Sequence, residues 1–239
     1  MSVHQRTHWR RAPDGTRYRV RRTFPAGPAN ATVLLAGPGS VSVLDGQERD
    51  DLLLQELTGR LASSGAQVLH CDLPVRDRGE PATETDLLAR TERLAGVLDA
   101  HAHHMVRPLV LVGFSLGGLA LLHLLGTGVP RAADGVVLVG TVIEEDTFLT
   151  SRVTALDLVY GAFDLVGYMV DASRDPAVFT PDMYGPWSAS RLLGPRAPGV
   201  RVHLLEGLGH TLQPCGSGPV RDAVAELASL VAGRGGPGG

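Results

Sequence analysis

Residues 109–118, Leu-Val-Leu-Val-Gly-Phe-Ser-Leu-Gly-Gly, constrain this chain more than any other stretch. After Pro108 comes an unbroken apolar run, of the composition that predicts a strand buried on both faces. It ends in Gly113-x-Ser115-x-Gly117, and a leucine-rich segment of helical composition, Leu119 to Leu125, follows at once. A strand that enters a helix through so short a turn holds the central residue in a strained backbone conformation with its side chain exposed. Glycines flank it because a Cβ at 113 or 117 would collide with the neighbouring strand or helix.

Other segments repeat the same alternation. Residues 3–11 and 16–24, joined by Pro13-Asp14-Gly15, read as a β-hairpin or two neighbouring strands. Ala31 to Ala36 is a continuous apolar strand, followed by the loop Gly37-Pro38-Gly39-Ser40-Val41-Ser42. A helix is predicted from about Gln47 to Ser63, with Leu53, Leu57 and Leu61 on one face. Ala66 to Cys71 is a strand, and Asp72 to Gly79 a loop. Thr83 to His104 reads as a helix capped by Thr83, with Leu87, Leu94 and Leu98 facing inward. Strands are expected at Gly135–Gly140, Ala155–Tyr160 and Val200–Leu205, and a last helix at Val220–Val231. Such alternation implies a mostly parallel sheet of about eight strands with helices on both faces, an α/β fold. One domain is expected over 1–232, with a flexible glycine-rich tail over 233–239.

Charge and cysteine content exclude several function classes. Net charge is −3, with no general pull towards nucleic acid or acidic lipid. All 22 basic side chains are arginine, and seven fall in the first 22 residues. Arg17, Arg19 and Arg21 alternate with Tyr18 and Val20, the period of an edge strand whose charge discourages edge pairing, rather than of a basic arm for a phosphate-bearing partner. Cys71 and Cys215 are too few for a disulfide framework. No stretch approaches 18 uncharged apolar residues, and the N-terminus lacks the apolar core of a signal peptide. A cytoplasmic location is the expectation. His101, His103 and His104 crowd a helix end without the spacing of a metal site, and His70, His123 and His203 read as structural.

In parallel sheets the chemistry sits at the carboxyl ends of the strands. Three ends carry suitable groups: Ser115, then Asp164 after Gly161-Ala162-Phe163, then His210 in Glu206-Gly207-Leu208-Gly209-His210. A serine hydroxyl needs a general base, and histidine suits that task. A carboxylate then fixes the imidazole tautomer. Glu144, Glu145 and Asp146, after the sixth strand, are rivals to Asp164 for that place.

Gly113-Phe114-Ser115-Leu116-Gly117-Gly118, Gly161-x-x-Asp164 and Gly207-x-Gly209-His210, in this order, resemble the α/β-hydrolase superfamily over essentially the whole chain. The resemblance implies Ser115 as nucleophile at a nucleophile elbow, Asp164 as acid and His210 as base. It implies an oxyanion hole with the Leu116 N–H as one donor and Gly39 or Ser40 as the other, since Pro38 has no N–H. The gap from Val142 to Val153 leaves little room for the lid that many relatives insert there, and Leu165 to Gly199 is the longer excursion, either a flap over the site or ordinary packing.

The function implied is a serine hydrolase that cleaves a carboxylic ester or thioester through an acyl-enzyme on Ser115. It needs no cofactor or metal, and its partner is a small acyl substrate, with neither nucleic acid nor membrane. The same triad also serves acyltransferases and elimination or cyclisation catalysts of biosynthetic pathways, and the fold also occurs in non-catalytic ligand-binding proteins. Acyl group, leaving group and oligomeric state are not written in the sequence.

Overall fold

A computed structural model describes residues 3–39, 43–76, 82–141, 149–164, 200–215 and 222–234. Strand β1 (His4–Arg11) turns at Pro13-Asp14-Gly15 into β2 (Arg17–Phe24), and the two pair antiparallel with His4 opposite Phe24. β1 is exposed on both faces and forms the sheet edge. β2, whose alternating Arg17, Arg19 and Arg21 read as an edge strand, is instead paired on both sides, with β1 and with β4 (Ala66–Cys71). β2 buries Tyr18, Val20 and Thr23, exposes Arg17, and holds Arg19, Arg21 and Arg22 partly buried, paired with Asp72, Asp45 and Gln67.

The interior strands are β3 (Ala31–Ala36), β4 (Ala66–Cys71), β5 (Leu109–Phe114), β7 (Gly135–Val139) and β9 (Leu156–Gly161), each buried along its whole length. With β10 (Val200–Leu205) at the far edge, the sheet order is β1-β2-β4-β3-β5-β7-β9-β10. Every pairing from β4 to β10 is parallel. Two strands absent from the sequence reading, β6 (Ala132–Ala133) and β8 (Arg152–Val153), form a separate parallel pair. At two residues each they are too short to show a period.

Alternation along the strands builds two cores. Leu34, Leu109, Leu111 and Leu138 face α2 (Glu84–His101) and α3 (Leu116–Gly126). Val33, Leu35, Val110, Val112 and Phe114 face α1 (Arg49–Ser63) and α4 (Ala223–Gly233). Helix α1 fully buries Leu54, Leu57 and Leu61, with Leu53 only at the margin of the core. Helix α2 starts where expected, at a capping box in which the Thr83 hydroxyl accepts from Asp86 N–H and the Asp86 carboxylate accepts from Thr83 N–H. It gives way after His101 to a 3-10 turn over Ala102–His104.

The last helix starts at an Asp222 cap rather than at Val220, because the Asp222 carboxylate accepts from Ala225 N–H. It runs to Gly233, and Arg234 donates from Nε to Asp157 at 2.7 Å. This ion pair ties Arg234 to the sheet, and residues 235–239, the rest of the expected tail, lie outside the described residues. No helix among the described residues is long and apolar enough to cross a membrane.

Candidate active site

The turn between β5 and α3 is built by close approach. A Cβ on Gly113 would lie 2.6 Å from Gly118 Cα, and one on Gly117 would lie 2.4 Å from both Ala36 O and Gly37 O. Neither glycine can be replaced without separating backbone from backbone. Ser115 between them has φ +49° and ψ −118°, well outside the ordinary regions for a side-chain-bearing residue. Its N–H donates to Val139 O at 2.8 Å, which ties the strained residue to the neighbouring strand. Its hydroxyl is left half-buried, open to a partner.

That partner is His210. Its Nε2 lies 2.8 Å from Ser115 Oγ, across 95 residues of sequence, and its Nδ1 lies 2.8 Å from Asp164 Oδ1. An ionised carboxylate can only accept, so Nδ1 carries the proton and Nε2 is left to accept from the serine hydroxyl. Asp164 is fully buried, and the imidazole keeps 16% of its side-chain surface. The histidine is reachable from solvent while its carboxylate partner is not.

Three turns fix this arrangement. Asp164 N–H donates to Gly161 O at 2.9 Å, and Phe163 N–H to Leu208 O at 2.9 Å, which binds the carboxylate's turn to the histidine's loop. A Cβ on Gly161 would come 2.2 Å from Leu208 O, so glycine serves close approach of the two loops here. The loop itself is closed by Gly209 N–H to Gln213 O and by Cys215 N–H to Gly207 O. Gly140, at the end of β7, was not singled out by sequence. Its φ is +54°, and a Cβ there would lie 2.2 Å from His210 O.

Of the expected oxyanion donors, Leu116 is the first residue of α3, where a backbone N–H has no intrahelical partner. Gly39 is buried against it: a Cβ on Gly39 would meet Leu116 Cδ2 at 3.1 Å. Ser40 lies outside the described residues, as do the rival carboxylates Glu144, Glu145 and Asp146 and the excursion Leu165 to Gly199. Among the described residues no group of three or more histidine, cysteine or carboxylate side chains could hold a metal ion. His70 is buried in β4, and desolvation pushes its pKa down to about 4. Cys71 is buried too, its thiol pushed up to about 12 by burial, and so is no nucleophile at neutral pH.

No protein-family model matches this chain, and no curated protein matches its sequence. Solved structures do match. A dienelactone hydrolase from Anabaena variabilis aligns with a TM-score of 0.70 and 16% identity, over 97% of this chain and 96% of its own. A homologue of alpha-beta serine hydrolases from Coxiella burnetii gives 0.63 and 16%, over 95% of both chains. A Xanthomonas campestris protein, described as an a/b serine hydrolase without lid, gives 0.62 and 13%, over 96% of this chain and 93% of that one. At such identities the likeness is one of fold.

Proposed function

We propose that this chain, which has the α/β-hydrolase fold, is a serine hydrolase that cleaves a carboxylic ester or thioester through an acyl-enzyme on Ser115. One observation carries the reading: a serine held at positive φ, in line with an imidazole and a buried carboxylate at 2.8 Å each. A glycine-rich turn that merely packed well would not need those two partners.

The steps follow from the donors and acceptors. His210 Nε2 takes the hydroxyl proton as Ser115 Oγ attacks the substrate carbonyl carbon, and the imidazolium that forms is stabilised by Asp164. The carbonyl oxygen becomes an oxyanion and accepts from backbone N–H donors, Leu116 first. Collapse breaks the bond to the leaving group, which departs as an alcohol or thiol with the proton from His210. Water enters, loses a proton to Nε2 and attacks the acyl carbon. The acid leaves, and the proton returns to Ser115. Net, one water is consumed per ester cleaved, and no redox partner takes part.

The deciding experiment is intact-mass analysis after a fluorophosphonate, beside turnover of an activated short-chain ester by the wild type and by Ser115→Ala. The reading expects one adduct on Ser115 and a fall in rate of about 10³-fold or more in the alanine variant. An adduct on another residue, or full activity without the hydroxyl, refutes it. An acyl-enzyme that forms but waits for an added alcohol or amine would instead mark an acyltransferase.

A further inference from the structure

Arg90 is the most conspicuous buried charge outside the serine, histidine and aspartate set. It lies on α2 and is wholly buried. Burying a cation is costly unless hydrogen bonds replace its water. The bonds it makes all run to backbone carbonyls. Nη1 donates to Gly37 O at 2.9 Å, and Nη2 donates to Pro38 O at 3.0 Å, Gly39 O at 3.1 Å and Pro74 O at 2.5 Å. Three consecutive carbonyls of the loop after β3 thus converge on one guanidinium. Burial lowers its pKa only to about 10, so it stays charged at neutral pH.

This convergence sets which way the loop's amides face. In a planar trans peptide the N–H points opposite to the C=O. The Pro38 carbonyl is turned to Arg90, so the Gly39 N–H of the same peptide is turned away from it. Among the described residues no acceptor takes that N–H, although Gly39 is buried. A buried donor without an acceptor is costly and marks a place where one arrives. The elbow holds the loop from its other side, through the contacts of Gly117 with Ala36 O and Gly37 O and of Gly39 with Leu116. The Arg76 N–H adds a bond to Gly39 O at 2.9 Å.

We propose that Arg90 is the positioning residue of the oxyanion hole: by gathering the carbonyls of Gly37, Pro38 and Gly39 it fixes the Gly39 N–H as the second donor beside Leu116 N–H. The proposal rests on the serine-hydrolase reading above. Arg90 touches no substrate. It acts by keeping the donor oriented before the oxyanion forms, which is where such donors gain their effect. Lysine cannot replace it, because one ammonium cannot span acceptors that a planar fork meets with two nitrogens.

The test compares wild type, Arg90→Lys and Arg90→Met on an ester and on the matching thionoester, with circular dichroism and thermal melting of each protein. A thionoester offers sulfur, a poor acceptor, to the hole and so gains little from the donors. In at least one folded variant kcat on the ester is expected to fall about 10²-fold, with KM changed less than threefold. Turnover of the thionoester should fall much less. Equal losses on both substrates, or a loss confined to KM, overturn the proposal, as does ester turnover within threefold of wild type in the folded variants. If both variants lose the folded state, Arg90 is structural only and the proposal falls. A wild type that cleaves neither substrate and takes no fluorophosphonate on Ser115 overturns the hydrolase reading itself, whereas an active wild type with unaffected Arg90 variants overturns this inference alone.

Discussion

Gly140 lies directly beneath His210: a Cβ at Gly140 would stand 2.2 Å from the histidine carbonyl oxygen and 3.0 Å from its Nδ1. It would also come 3.2 Å from Asp164 Oδ2. The end of β7 is therefore the floor on which the histidine and its carboxylate rest, and the absence of a side chain there sets their height relative to Ser115.

Gly140→Ala is expected to keep the fold and lose the chemistry. The positive φ of +54° costs alanine about 1 kcal/mol. The clash must move the histidine loop by a large part of an ångström, and a misplacement of that order costs about 10²-fold in rate. Steady-state kinetics with a melting curve check this. A variant with wild-type kcat would show that the loop adjusts without disturbing the imidazole.

The opposite end of the sheet carries a second buried carboxylate. Asp157, near the start of β9, accepts from Arg201 Nε at 2.9 Å and from Arg234 Nε at 2.7 Å, and pairs with His203 Nε2 at 2.7 Å. Burial alone would raise its pKa, but the hydrogen bonds from His203, Arg201 and Arg234 outweigh it and hold the carboxyl below the ordinary carboxylate value. A depressed carboxyl contributes stability that is fully present above about pH 4 and is lost as pH falls through its folded pKa. Asp157→Asn should lower stability at pH 7 by about 3 kcal/mol, since it leaves cations facing a neutral group. The difference from wild type should shrink in acid. Urea denaturation at pH 7 and near pH 3 measures both, and an equal difference at the two pH values would contradict this account.

His70 gives an independent pH signature. Its pKa falls to about 4 because burial disfavours the charged ring, with Arg21 opposing the charge as well. A histidine that is harder to protonate when folded stabilises the fold above its unfolded pKa of about 6.5, and that contribution drains away as pH falls towards 4. Between pH 7 and pH 5 the loss is about 2 kcal/mol by linkage. Replacing the ring by leucine should flatten the stability profile over that interval by the same amount. Identical profiles for wild type and His70→Leu would mean that the ring is hydrated in the folded state.

Much of this architecture is legible in the sequence because it depends on local requirements. Strands buried on both faces are mainly apolar, and β5 and β7 are so throughout. The turn at Ser115 needs glycine at 113 and 117, and the Thr83 cap needs its acid three residues on. What could not be read depends on partners far apart in the chain. Arg90 meets carbonyls more than fifty positions upstream, and Asp157 meets Arg234 from beyond the last helix. One trace of the first was present: Leu87, Arg90, Leu94 and Leu98 follow helical spacing, so a charge sits on the buried stripe of α2. Gly140 was hidden because its role is set by the histidine loop, seventy residues later.

The choice of acid rests on a comparison within one strand. β9 has a buried carboxylate near its start, Asp157, and another in the turn beyond its end, Asp164, each hydrogen-bonded to a histidine. Only the histidine of the second pair also reaches a serine. Asp164→Asn should therefore leave the imidazole free to take the wrong tautomer and should lower kcat by up to about 10⁴-fold. Asp157→Asn should weaken the fold and leave kcat of the folded fraction near wild type. Both variants remove one buried charge from neighbouring positions in the chain, so a general effect of lost charge would hit them alike. Measuring kcat at a temperature where both are folded separates the roles. Near-normal turnover in Asp164→Asn would reassign the acid, and Glu144→Gln, Glu145→Gln and Asp146→Asn, which follow β7, would then be the variants expected to collapse.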